Sequence, residues 1–143
     1  MSYGKRQDGF DSKLEAKVYR YLLRYFPQQH CHLHQALEVR PATRHFSQPR
    51  MWKPDIIVST LPPEHDLFLE SIYLIVEVKG RWILKPHAGL SFRLLLELVS
   101  SFSPRTLDKL IIVSQDEFQV AGLNINAYKP AIEKAHRLLN DQR

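Results

Sequence analysis

The stretch IYLIVEVKG, Ile72 to Gly80, leaves the chain few ways to fold. Alternate side chains of a strand point to opposite faces. Here Ile72, Leu74, Val76 and Val78 make one face wholly apolar. Tyr73 and Ile75 begin a second apolar face, which turns polar at Glu77 and Lys79. Apolar residues on both faces require cover on both faces, so this reads as a central strand packed above and below. Upstream, Ile56 to Ser59 reads as a short strand. LPPEHD between the two holds a pair of prolines that no central strand accommodates. The two strands are expected to fold back as an antiparallel hairpin. The start of the first then lies beside the end of the second, and Asp55 meets Glu77 and Lys79.

The flanking segments supply the cover. Residues Asp11 to Phe26 predict a helix, capped by Ser12 or Asp11 and ended by Pro27, with Leu14, Val18, Leu22 and Tyr25 along one stripe. HCHLHQALEVR alternates loosely and predicts a first, edge-like strand. PATRHFSQPRMWKP carries three prolines and reads as a loop, or as a strand interrupted by one. Pro86 to Phe102 predicts a well-buried helix closed by Pro104, and LDKLIIVSQ a strand apolar on both faces. After a turn near Gly122 and Asn124, Tyr128 to Asn140 predicts a helix with Ile132, Ala135, Leu138 and Leu139 inward. The order is helix, three strands, helix, strand, helix. It predicts one α/β domain over residues 1–143, with a mixed central sheet flanked by helices and a right-handed crossover. A 143-residue chain with 44% hydrophobic residues is long enough for one real core.

Several function classes drop out. The single cysteine, Cys31, excludes a disulfide framework and a cysteine zinc site, and suits a reducing cytosol. No apolar run reaches the length of a membrane span, and MSYGKRQDGFDSK has no apolar signal core, so a cytoplasmic location is expected. No glycine-rich phosphate loop is present, which argues against nucleoside triphosphates, and no serine nucleophile elbow appears. The net charge of +5 favours polyanions, nucleic acid first.

The polar groups at the hairpin end carry the chemistry. Two carboxylates a few ångströms apart repel each other and call for a cation. Hard oxygen ligands with open positions suit Mg²⁺, with Mn²⁺ able to substitute. Asp55 and Glu77 are the candidate ligands, with the Val78 carbonyl as a further one. Such an ion polarises a phosphodiester, and Lys79 can orient the attacking water or stabilise charge on the phosphate. Each fragment alone also fits a plain role: acid and lysine at i and i+2 as an exposed ion pair, aspartate after proline as a turn residue. Their convergence at adjacent strand ends favours a site.

Other groups are weaker candidates. His30, His32 and His34 alternate and could share one strand face; three imidazoles can bind a transition metal. With no acid or cysteine placed among them, an exposed strand face is the preferred reading. Arg40, Arg44, His45, Arg50 and Lys53 lead into the Asp55 strand, and Arg81 and Lys85 follow Lys79 closely. All are placed to touch DNA phosphates, though a basic run is also an ordinary solvated loop. Trp52 and Trp82 read as core or loop packing rather than base stacking.

KPDIIV followed by YLIVEVKG resembles the motif of the PD-(D/E)xK nuclease superfamily: Pro54-Asp55, a spacer, then Glu77-Val78-Lys79. The family's restriction-endonuclease-like core runs helix, three strands, helix, strand, so the likeness covers most of the chain, from the first helix to the strand at Leu110 to Ser114. The resemblance implies that Asp55 and Glu77 bind metal and that Lys79 assists hydrolysis. Many members also bring a glutamate from the first helix into the site, and SKLEAKVYRYLL is similar to that helix, with Glu15 as the candidate. Ser12-x-x-Glu15 is also a capping box, but Glu15 lies on the apolar side with Val18 and Leu22, which a cap does not need. The implied activity is a Mg²⁺-dependent DNA endonuclease. The chain's size is similar to that of phage junction-resolving members, which implies branched DNA (Holliday junctions) as substrate and a homodimer cutting symmetrically. A restriction, repair or transposon-end-cleaving nuclease, or a non-catalytic DNA-binding module that kept the fold, are the alternatives.

Overall fold

The computed structural model describes residues 12–142 and centres on the strand that runs from Ile72 to Val78. Its elements, in chain order, begin with helix α1 (Lys13–Leu22), then strands β1 (Cys31–Leu33), β2 (Leu37–Arg40), β3 (Arg50–Trp52) and β4 (Ile56–Ser59). Short helix α2 (Phe68–Ser71) leads into β5 (Ile72–Val78), and a 3₁₀ turn (Arg81–Leu84) into α3 (Pro86–Phe102). A single turn of helix, α4 (Pro104–Leu107), precedes β6 (Leu110–Ser114), the hairpin β7 (Phe118–Val120) and β8 (Leu123–Ala127), and finally α5 (Tyr128–Asp141).

The hairpin forms as expected. β4 and β5 pair antiparallel with Ile56 opposite Val76 and Val58 opposite Leu74. β6 then lies parallel to β5, which requires the α3 crossover between them. The full sheet is mixed and six-stranded, in the order β1-β4-β5-β6-β8-β7. Its two faces have separate cores. Ile56, Val58, Leu74, Val76 and Val78 pack under α1 and α5 through Val18, Leu22, Tyr128 and Ile132. Ile57 and Ile75 pack under α3 through Phe92, Leu96 and Val99, with Leu37, Val39 and Trp52 joining from outside the main sheet. Alternation along β4 and from Leu74 to Val78 sends neighbours to opposite cores, which is why both faces read as apolar. Ile72 and Tyr73 depart from it: Ile72, expected on the Leu74 face, packs in the α3-side core, and Tyr73 packs on the α1 and α5 side, because the β4–β5 register shifts between Val58 and Ser59.

The predicted first strand is two strands in different sheets. β1 ends at Leu33 because His34 takes a left-handed backbone, φ 52°, which breaks the extended run. β2 then pairs with β3 as a separate two-stranded ribbon over the α3 face. The turn near Gly122 is the tip of the β7–β8 hairpin. Val120 pairs with Leu123, and both intervening residues have positive φ, 48° at Ala121 and 81° at Gly122, as the mirror-image hairpin turns require. In α5 the inward stripe is Tyr128, Ile132, Ala135 and Leu139; Leu138, expected inward, is 53% exposed because it falls about a third of a turn off that stripe. At α1, Ser12 Oγ accepts the Glu15 backbone N–H at 3.1 Å. The alternative cap, Asp11, lies outside the described residues. No described helix is long and apolar enough to cross a membrane.

Gly89 shows how tightly α3 is seated. A Cβ there would lie 2.6 Å from Val120 Cγ2 and 3.0 Å from the Ile83 carbonyl oxygen. Gly89→Ala gains roughly 1 kcal/mol of helix propensity but forces apart packed groups that do not yield easily. The expected result is a net loss of about 1–2 kcal/mol, read as an earlier urea midpoint with unchanged slope. An unchanged or later midpoint would mean that β7 gives way freely.

Candidate metal and phosphate site

Four elements end at one point. The β4–β5 register, continued one step past Ile56 and Val76, sets Asp55 beside Glu77. The Asp55 carboxylate does not hang free: its Oδ2 accepts the Val78 backbone N–H at 2.7 Å. Asp55 thus fastens the start of β4 to the end of β5 through its side chain. Val78 itself points into the core beneath α1, while Glu77 and Lys79 face the α3 side, as strand alternation predicts. Lys79 continues the parallel ladder, its N–H bound to the Val113 carbonyl at 2.8 Å.

Glu77 is only 3% exposed and lies 2.9 Å from the Lys79 ammonium, Oε2 to Nζ. That ammonium also stands 4.4 Å from the centre of the Phe92 ring and 5.6 Å from Trp82. Both ring faces attract a cation and hold the lysine in place. Glu15, likewise 3% exposed, comes in from α1, and its Oε1 lies 2.7 Å from His34 Nε2. His34 follows directly on β1, whose Leu33 pairs with Ile56, and its backbone N–H bonds the Asp55 carbonyl at 3.1 Å. One ligand atom each from Glu15, His34 and Asp55 lie within 4.8 Å of one another.

The electrostatics are strained in one direction. Burial pushes the Asp55 carboxyl up to about 6; Lys79 and the Val78 N–H pull it back, while Glu15 pushes it further up. Burial likewise pushes Glu77 up to about 7, opposed by Lys79 and reinforced by Asp55. Glu15 and Asp55 converge with His34, while Glu77 stands outside that group, paired with Lys79; the acids outnumber the lysine and histidine, a surplus of negative charge that a divalent cation would relieve. A carboxyl raised in the folded state binds more protons folded than unfolded. Stability of the metal-free protein should therefore rise as pH falls through about 7 and 6, levelling off near the ordinary carboxyl range of about 4. The expected observation is a higher Tm at pH 5.5 than at pH 8 in EDTA, with the difference shrinking when Mg²⁺ is added. A Tm that falls over that interval would contradict it.

The remaining candidates sort unevenly. Lys53 is exposed just before Pro54, and Arg81 and Lys85 are exposed in the turn that follows Lys79. The Arg81 guanidinium stands 4.9 Å from the Phe118 ring. Arg40 and Arg50 are cross-strand partners on the β2–β3 ribbon. Arg40 is half-buried, lies over Phe46 and donates to the Pro41 carbonyl, while Arg44 and Arg50 are exposed. Trp52 is a core residue at 3% exposure, and Trp82 is half-buried beside Lys79.

The histidines do not form a strand row. His30 belongs to a 3₁₀ turn, its Nδ1 2.9 Å from the Tyr73 hydroxyl. His32 is half-buried edge-on to Phe68. His34 alone reaches the acids. Its place was readable in principle: an antiparallel strand pairing with β4 must bring some residue opposite Asp55. Phe92 carried no such signal, since nothing in a helix sequence marks which buried ring will lie under a lysine. A cavity of about 540 Å³ opens beneath α5 among Leu110, Ala131 and Leu138, and shares no residue with the acid cluster. Comparison of the chain with family models, with curated proteins and with solved structures finds no match.

Proposed function

We propose that the chain is a metal-dependent DNA endonuclease of the PD-(D/E)xK type, hydrolysing phosphodiester bonds. The observation that carries the reading is the 2.7 Å bond from the Val78 N–H to the Asp55 carboxylate, which ties the PD half of the motif to the ExK half at one sheet end. Glu15 supports it, since its carboxylate is turned from the apolar stripe of α1 toward Asp55. The donor set fits a divalent cation: the Glu15 and Asp55 carboxylates lie within 4.8 Å of each other, the Val78 carbonyl is a further oxygen, and Glu77, engaged by Lys79 outside that group, would join by turning its carboxylate toward Asp55. A bound Mg²⁺ or Mn²⁺ supplies Lewis-acid stabilisation of the charge that builds on the phosphate oxygens.

The chain's own residues do the positioning. The Val78 N–H fixes the rotamer of Asp55, and His34 that of Glu15, so neither acid has to be ordered when substrate arrives. Lys79, steered by Glu77, Phe92 and Trp82, presents a cation to the scissile phosphate or orients the attacking water. Lys53, Arg81 and Lys85 flank this point in sequence and hold neighbouring phosphates; Arg40, Arg44 and Arg50 extend the basic surface along the β2–β3 ribbon. The resemblance in motif and size favours branched DNA as the substrate and a homodimer as the active form.

The test is cleavage of supercoiled plasmid and of a four-way junction by the purified chain, with Mg²⁺ or Mn²⁺ against EDTA. Metal-dependent strand cleavage is expected, faster on the junction. Binding of either DNA without cleavage under both metals would point to a non-catalytic module, and equal rates on linear duplex would remove the junction preference.

A further inference from the structure

We infer that His34 is a nitrogen ligand of the ion held between Glu15 and Asp55, and that the site therefore prefers a transition divalent such as Mn²⁺ over Mg²⁺. The inference rests on the metal-site reading above but not on the hydrolysis of DNA.

The argument is geometric. Cis ligands of an octahedral ion with bonds of about 2.1 Å lie about 3 Å apart. His34 Nε2 and Glu15 Oε1 are 2.7 Å apart, so a few tenths of an ångström separate the hydrogen-bonded pair from a chelating one. The Asp55 carboxylate completes the group within 4.8 Å, a span that modest rotamer shifts close around one ion. The three ligands come from three elements with independent supports: α1 for Glu15, the residue after β1 for His34, and the residue before β4 for Asp55. His34 and Asp55 are held in step by the 3.1 Å backbone bond between them. Of the His34 side chain 22% is exposed, against 4% for Glu15, so an ion enters from the histidine side.

The donor type decides the metal. Carboxylate, carbonyl and water satisfy Mg²⁺, whereas an imidazole nitrogen adds little for it and considerably more for transition divalents. With His34 in the first coordination sphere, replacing it should weaken Mn²⁺ much more than Mg²⁺. If His34 only orients Glu15 from outside, both ions should weaken by similar factors.

The experiment is pulsed electron paramagnetic resonance of Mn²⁺ bound to the full chain, without DNA. The spectrum should show the nitrogen modulation of a directly bound imidazole, altered when the histidines are labelled with ¹⁵N. In His34→Asn the modulation should vanish; asparagine is chosen because it tolerates the left-handed backbone. Calorimetric titration should show Mn²⁺ affinity reduced about 10-fold or more, and Mg²⁺ affinity by less than about threefold. Bound Mn²⁺ with no nitrogen modulation in the wild-type chain would overturn the inference and leave the oxygen site standing, a result that does not depend on the variant folding. Nitrogen-coupled Mn²⁺ in a chain that cuts no DNA would keep the inference and remove the nuclease. Failure to bind either ion would remove both.

Discussion

Asp55→Asn should reduce metal-dependent cleavage by about 10³-fold or more, while leaving the metal-free protein as stable as before or more so. The amide oxygen can still accept the Val78 N–H, so the hairpin end keeps its geometry. What disappears is a charge. In the metal-free fold at pH 8 that charge is partly buried and faces Glu15 and Glu77, so its removal relieves repulsion. In EDTA at pH 8 the Tm is expected to stay level or rise by about 2–4 °C. The Mg²⁺-induced rise in Tm should be lost along with activity. Two measurements check this: a time course on junction DNA, and thermal melts with EDTA and with Mg²⁺. Wild-type cleavage by the variant would take Asp55 out of the reaction. A Tm lowered by more than about 5 °C would make it chiefly a structural clasp.

Lys79→Met should separate hydrolysis from metal binding. Methionine keeps the apolar stem against Phe92 and Trp82 but lacks the ammonium. Cleavage is expected to fall by about 10²–10⁴-fold, the usual worth of a group that assists proton transfer or offsets charge in the transition state. The Mg²⁺-dependent rise in Tm should persist, since no proposed ligand has been removed. Glu77 loses its closest counter-charge, so its carboxyl should titrate higher still. Retained cleavage would reduce Lys79 to the role of neutralising Glu77, and loss of the Mg²⁺ effect would mean that Lys79 arranges the acids rather than the substrate.

The parts legible from the chain alone were those with period-two or period-3.6 apolar patterns on both sides of a proline. The β4–β5 hairpin follows from Ile56 and Ile72 onward and from the prolines between them, and α3 matches its predicted bounds, Pro86 to Phe102. Glu15 could be aimed inward because its neighbours Val18 and Leu22 share its side of α1. Illegible were features set by single backbone choices. A left-handed His34 ends β1 and divides one predicted strand between two sheets; histidine visits that conformation too seldom for sequence to announce it. The β7–β8 hairpin is not evident from the chain although Leu123 and Ile125 alternate with Asn124 and Asn126, because polar asparagines next to a glycine read first as a turn. Within the candidate site, Asp55, Glu77 and Lys79 follow from strand spacing and Glu15 from the resemblance, whereas His34 and Phe92 depend on pairings between elements that no local pattern encodes.

Both rims of the six-stranded sheet, β1 and β7, are three residues long. A rim that short offers an incoming chain only a few vacant amides and carbonyls, too few to template a further strand. Each rim also turns away quickly, β1 at the left-handed His34 and β7 at the Ala121–Gly122 tip. Growth of the six-stranded sheet into cross-β ribbons is thereby hindered at its two rims, although its interior strands are rich in valine and isoleucine and would be prone to such stacking if laid bare.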